Sequence, residues 1–161
     1  MKSAHWTSAN GITMTDRVPA ELRAEWTARG LCPGSDLYTL FGEHVRAAPE
    51  RPAVVDEEGT LDYVALDARV RRAAAALAAS GRGAADIIGV LLPNGRDAVI
   101  AELAIAAVGA VALPIPHTRG TRDIARLLDR SRAAALITTP GMVDSIDAMR
   151  DGLAYPLDLW T

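Results

Sequence analysis

The apolar positions change period several times along the chain, and each change marks a predicted element. Leu66, Val70, Ala73 and Leu77 recur at spacings of four, three and four. They therefore share one face of a helix that begins near Val64 and ends at a Gly81 cap. Ile87–Leu92 is an apolar run too short and too β-branched for a helix, so it predicts a strand covered on both faces. Arg96–Val108 predicts a nearly all-apolar helix closed by Gly109, and Ala110–Ile115 a second strand. Thr121–Arg130 predicts an amphipathic helix with Ile124, Leu127 and Leu128 inward, and Ala134–Thr138 a third strand. Val143–Arg150 is a weaker helical segment, and Leu157–Trp160 has the character of a last strand. Strand–helix–strand repeats of this length require parallel pairing and right-handed crossovers. The expected fold class is α/β: a doubly wound, mostly parallel sheet with helices on both faces.

Upstream the signals are shorter. Residues 1–18 lack periodicity and are expected to form a loose N-terminal leader, with residues 19–161 as one α/β domain. Pro19 suits the first turn of a helix that continues over Ala20–Arg29 to Gly30. A second helix, about Leu37–Ala48, stops before Pro49 and carries Leu40, Phe41 and Val45 on one face. Ala53–Asp56 and Thr60–Tyr63 predict a hairpin around Glu57-Glu58-Gly59.

Composition narrows the function classes. With 161 residues, half of them apolar and 23% charged, the chain is long enough to bury a core. A net charge near −3 and 4% aromatic residues supply neither the basic footprint nor the stacking platforms that nucleic acids require. The single cysteine, Cys32, fits a reducing cytoplasm, and the N-terminus lacks a signal-peptide pattern. The longest apolar stretch, Ala98–Pro116, is rich in Ala and interrupted by Glu102 and Gly109, so it predicts a buried helix and strand and no membrane span. His5, His44 and His117 have no metal-ligand spacing. Cys32 and His44 carry no sign of proximity, and Gly81-Arg82-Gly83 precedes a strand, as a helix cap and turn would.

Three phrases carry more information: LDYVALD at Leu61–Asp67, VLLPN at Val90–Asn94 and AIAAVGAVALPIP at Ala104–Pro116. In this order they resemble the front of the adenylate-forming enzymes, a superfamily of acyl-CoA synthetases, aryl-acid AMP ligases and nonribosomal peptide adenylation domains. LDY resembles the family's first core motif, L-[ST]-Y-x-E-L, with Asp62 in place of the hydroxyl residue and Ala65 in place of the acidic one. Val108–Pro114 matches the G-A-x-x-x-P of the second motif, and Arg122-Asp123-Ile124 resembles the R-[DE]-[IL] that opens the next helix. Glu25–Leu31 and Arg51–Val55 resemble the leading segments of aryl-acid and alicyclic-acid ligases. The resemblance covers about Ala20–Thr139.

The resemblance implies ATP, Mg2+ and a CoA or carrier-protein thiol as the family's cofactors, and a Ser/Thr/Gly-rich loop ending in P-K-G to cradle the triphosphate. No such run occurs here. Thr138-Thr139-Pro140-Gly141 is the nearest approach, expected to be an ordinary turn, and Lys2 is the only lysine. The expectation is a catalytically incomplete N-terminal part of an acid ligase, with no catalytic residues, no metal site and no cofactor of its own. It would act as a binding or complementing subunit, as a homodimer or with a protein partner that supplies the rest of the ligase, in secondary metabolism. The alternatives are a ligase-like protein reused for different chemistry, and an excised fragment of an ordinary ligase. Candidate ligand-binding residues are His117, Arg119 and Asn94, which follow predicted strand ends where α/β folds bind ligands. His117, Arg119 and Arg122 could contact an anion or carboxylate, or form a solvated loop before a helix start. Asn94 could touch a ligand or cap the next helix.

Overall fold

The computed structural model describes residues 5–32 and 34–161. Its centre is a four-stranded parallel sheet: β5 (Ile87–Leu91), β6 (Val111–Pro114), β7 (Ala135–Thr138) and β8 (Asp158–Trp160). The spatial order is β6-β5-β7-β8, so the chain steps one way from β5 and then returns across it. The connections are α4 (Arg96–Ala107), α5 (Thr121–Ser131) and α6 (Val143–Arg150), the last entered through a single 3-10 turn at Pro140–Met142.

Two cores lie on opposite faces of this sheet, as strand alternation requires. Ile88, Val90, Ala135 and Ile137 pack with α4 and with two preceding helices, α2 (Leu37–Ala47) and α3 (Tyr63–Ala79). Ile87, Leu91, Leu136 and Leu159 face α5 and α6 through Ile124, Leu128 and Ile146. The doubly wound α/β arrangement read from the sequence is therefore present. Leu127 departs from expectation. It is 36% exposed, because Ile124 and Leu128 form the buried stripe four residues apart and Leu127 falls beside it.

Local chemistry explains the helix ends. Asp62 is the N-cap of α3, its carboxylate accepting the Ala65 N–H at 2.7 Å. Asp caps as well as Ser or Thr, so the first motif tolerates the exchange at this position. Ala65, at the third helical position, cannot return the second bond of a capping box. Both α3 and α4 end in the same motif. Gly81 (φ 80°) and Gly109 (φ 74°) turn left-handed, and the N–H groups of Arg82 and Ala110 donate back to Leu77 and Ile105 at 3.0 Å.

Before α3, β3 (Pro52–Asp56) and β4 (Gly59–Asp62) pair antiparallel as a separate hairpin. Helix α1 (Ala20–Ala28) buries no residue. The loose leader is not what the structure contains over its described part. β1 (His5–Thr7) and β2 (Thr13–Thr15) form a second hairpin. Its turn is docked: the Ala9 N–H donates to the Ala85 carbonyl at 2.8 Å, and Asn10 and Arg132 exchange side-chain-to-carbonyl bonds at 2.8 Å. Trp6 and Ile12 add to the core beneath α5 and α6. Its strands are three residues long and mostly polar, so periodicity is silent there. The anchors come from residues far along the chain.

Gly89 sits mid-strand in β5, where a Cβ would stand 2.7 Å from Leu136 Cδ1 and 3.2 Å from Leu128 Cδ2. Both leucines are fully enclosed and have nowhere to retreat. Gly89→Ala is expected to destabilise the fold by about 1–3 kcal/mol through overpacking. The shift of the urea midpoint measures it; an unchanged midpoint would mean that this contact is looser than its distances imply.

Candidate functional site

The site is organised by β3 and the start of α4. Asp56 ends β3, and Gly59 (φ 107°) returns the chain after Glu57-Glu58. Asp56 then meets Arg96, the first residue of α4. Its Oδ2 accepts the Arg96 backbone N–H at 3.0 Å and Nε at 2.8 Å, and its Oδ1 accepts from Nη2. Arg96 Nη2 also donates to the Gly59 carbonyl at 3.1 Å, and Nη1 lies 3.3 Å from Glu58 Oε2. The Arg96 side chain is only 8% exposed. Its hydrogen bonds hold the Asp56 carboxyl well below the usual carboxylate range, and Asp56 in turn raises Arg96.

This pairing takes over the capping role open to Asn94. The N-cap of α4 is Gly95, with no side-chain cap of its own, and the orphan N–H of Arg96 is taken by Asp56 from 40 residues upstream. Gly95 adopts φ 151°, ψ −172°, a region essentially confined to glycine. It is this conformation that presents the helix start to the hairpin.

Among the described residues, three concavities lie at the strand ends. The first, about 460 Å3, lies beyond β5 and β7, whose following segments leave for opposite faces of the sheet. Asp56, Glu57, Glu58 and Asp97 line it together with Asn94, Arg96 and Thr139. The second, about 420 Å3, lies beyond β5 and β6, and brings Asn94 and His117 together with Glu102 and Thr118. Arg119 does not line it, its N–H closing a turn onto the Pro116 carbonyl at 3.0 Å. The third, about 430 Å3, is an apolar groove between α3, α4 and the β7–β8 edge, with Ala73, Leu77, Ile100, Ile137 and Trp160 among its walls.

The Thr138–Gly141 segment is structural. Thr138 is buried with its hydroxyl donating to the Leu91 carbonyl at 3.2 Å, and Pro140 begins the single turn into α6. His44 stacks on Tyr63 with ring centroids 5.7 Å apart. Among the described residues, no cluster of three His, Cys, Asp or Glu side chains is arranged to hold a metal ion. No helix among them is long and apolar enough to cross a membrane. Sequence reasoning missed two features. The Asp56–Arg96 pair had no local signal, whereas Glu102 had one: it is the only charged residue in Ala98–Pro116.

The strand order and the succession of motifs resemble those of the N-terminal subdomain of adenylate-forming enzymes. The chain belongs to the AMP-binding enzyme family, whose profile matches residues 41–156. It is 36% identical over 105 residues, 65% of its length, to a plipastatin synthase polypeptide of Bacillus subtilis (strain 168), of which it spans 4%. It is 34% identical over 120 residues, 74% of its length, to novobiocin biosynthesis protein H of Streptomyces niveus, of which it spans 20%. The anthranilate CoA ligase AuaEII, solved in complex with anthranoyl-AMP, superposes on 82% of the chain with a TM-score of 0.73 at 16% identity. The chain spans 26% of that structure, and the likeness is one of fold.

The charge pair makes stability depend on acid. A carboxyl whose folded pKa is depressed contributes fully above its unfolded value of about 3.9, and the contribution is lost as pH falls below that toward the folded value. Urea midpoints measured from pH 7 to pH 2 should therefore drop steeply below about pH 4, where the unfolded carboxyl protonates first. Asp56→Asn should lower the pH 7 midpoint and flatten that acid limb. Gly95→Ala should cost about 1–3 kcal/mol by forcing a side chain into a glycine-only conformation, read from the same titration.

Proposed function

We propose that this chain forms the front wall of a carboxylic-acid ligase and performs no adenylation alone, a second polypeptide segment supplying the phosphate loop and the catalytic lysine. One observation carries the reading. A helix N-terminus at a switch point is the natural seat for a phosphate. In α4 that seat is taken by the Asp56 carboxylate. The adjoining crevice has four carboxylates among its lining residues against one guanidinium that is already engaged. A triphosphate entering there would meet like charge.

Two further features support it. Within the 161 residues no Gly-rich run ends in lysine. The apolar groove at the β7–β8 edge is wide enough to accept side chains from another segment, and an uncovered apolar surface of this kind favours a partner. The occupant best matched to it is the remainder of the ligase, since the chain spans only about a quarter of the CoA ligase whose fold it shares. By analogy with the acids in the related enzymes, the complete assembly would act on a small carboxylic or amino acid, in a secondary-metabolic setting.

The chain alone is expected to give no acid-dependent exchange of labelled pyrophosphate into ATP, and to give it when mixed with a segment that carries the phosphate loop. Exchange by the chain alone would overturn the proposal. So would failure of every adenylation remainder, native or grafted from a relative, to restore it.

A further inference from the structure

We infer that the cavity beyond β5 and β6 is a binding site for a small organic cation, an ammonium group on an apolar body. Glu102 is the reason. Helix α4 is otherwise apolar from Ala98 to its end, and a carboxylate interrupts it on the stripe that also holds Ala98, four residues earlier. Glu102 is half-buried, and within the described residues no hydrogen bond or ion pair satisfies it. A carboxylate partly withdrawn from water without a partner costs stability, and such departures from local logic concentrate at functional sites.

The remainder of the cavity fits the same ligand class. The buried Val90 and Ile115, with the half-buried Leu92 and Ala98, supply its apolar lining, and the exposed Asn94, His117 and Thr118 add polar groups. Its volume, about 420 Å3, lies within the range of small-molecule sites. Glu102 is the only charged Asp, Glu, Lys or Arg side chain among the lining residues. An anion would thus meet a bare carboxylate. An ammonium would gain a charge-assisted hydrogen bond from Glu102, with the Asn94 carboxamide and His117 imidazole placed to bond further polar atoms of the ligand. The anion contact expected from the His117–Arg122 segment is disfavoured here, because neither Arg119 nor Arg122 lines this cavity.

Isothermal titration of the whole chain at pH 7 with benzylammonium, benzyl alcohol and benzoate tests the assignment. Benzylammonium should bind about tenfold tighter than the isosteric alcohol, equivalent to about 1.4 kcal/mol, and benzoate should not bind. Glu102→Gln preserves shape and is expected to erase the preference for the cation while raising the melting temperature. His117→Ala and Asn94→Ala should weaken the cation and the alcohol alike. Amide shift changes on adding benzylammonium should map to Asn94, Glu102 and Thr118. Absence of binding, equal binding of benzoate, or a cation preference that survives Glu102→Gln would each overturn the inference. The cavity lies wholly within this chain, so these outcomes are independent of whether a ligase remainder restores adenylation.

Discussion

The Asp56–Arg96 pair is the interaction on which the arrangement at the strand ends depends. It joins the β3–β4 hairpin, which shares no strand pairing with the main sheet, to the first residue of the helix that follows its central strand. Removing two charges from water is costly, and a buried pair is sustained only where geometry is good and the remaining donors are satisfied. Here Arg96 also reaches the Gly59 carbonyl and Glu58, and Asp56 also accepts the Arg96 backbone N–H. One contact thereby caps a helix, docks a hairpin and fills an anion seat. The acid-rich character of the adjoining crevice follows from it.

Packing sets the rest of the frame. Strand β5 is buried at every residue, with one core on each side, and Gly89 lets Leu136 and Leu128 close over it. The Schellman ends of α3 and α4 return the chain into β5 and β6, so helix length and strand register are coupled through Gly81 and Gly109. The β1–β2 hairpin covers the opposite end of the sheet, near Ala85 and Arg132. Arg132 is left-handed (φ 49°), an uncommon state for a side-chain-bearing residue, and is clasped by Asn10 and stacked over Tyr155 at 4.6 Å. At the other end, the three concavities lie by the carboxyl ends of the strands. Ligand-binding surfaces of doubly wound sheets lie there.

Family membership explains the frame more than the site. The apolar spacing of α3 and the small-residue run into β6 are framework, and framework is what the matched motifs preserve; Asp62 departs from the motif's residue but keeps a capping role. The filled α4 terminus and Glu102 lie outside those motifs. One places a carboxylate of the same chain at a helix N-terminus. The other places an unpaired charge beside an apolar cavity.

Much of the fold was readable from residue order because its causes are local. Period and capping chemistry sufficed to find α6 at Val143–Arg150 and the start of α5 at Thr121, and to place β5 within one residue. Leu127 fell on the wrong side because a helical stripe has edges that sequence spacing alone resolves poorly. The β1–β2 hairpin, the true cap of α4 and the meeting of Asn94, Glu102 and His117 were decided by tertiary structure. Each depends on groups tens of residues apart, whose proximity is created when parallel crossovers bring the strand ends into one row. From the second helix onward, sequence determined which segments would be strands and helices and, Leu127 apart, which faces they would bury. Only the folded chain determined which polar groups would then face one another, because burial is a property of each residue's own chemistry and juxtaposition is not.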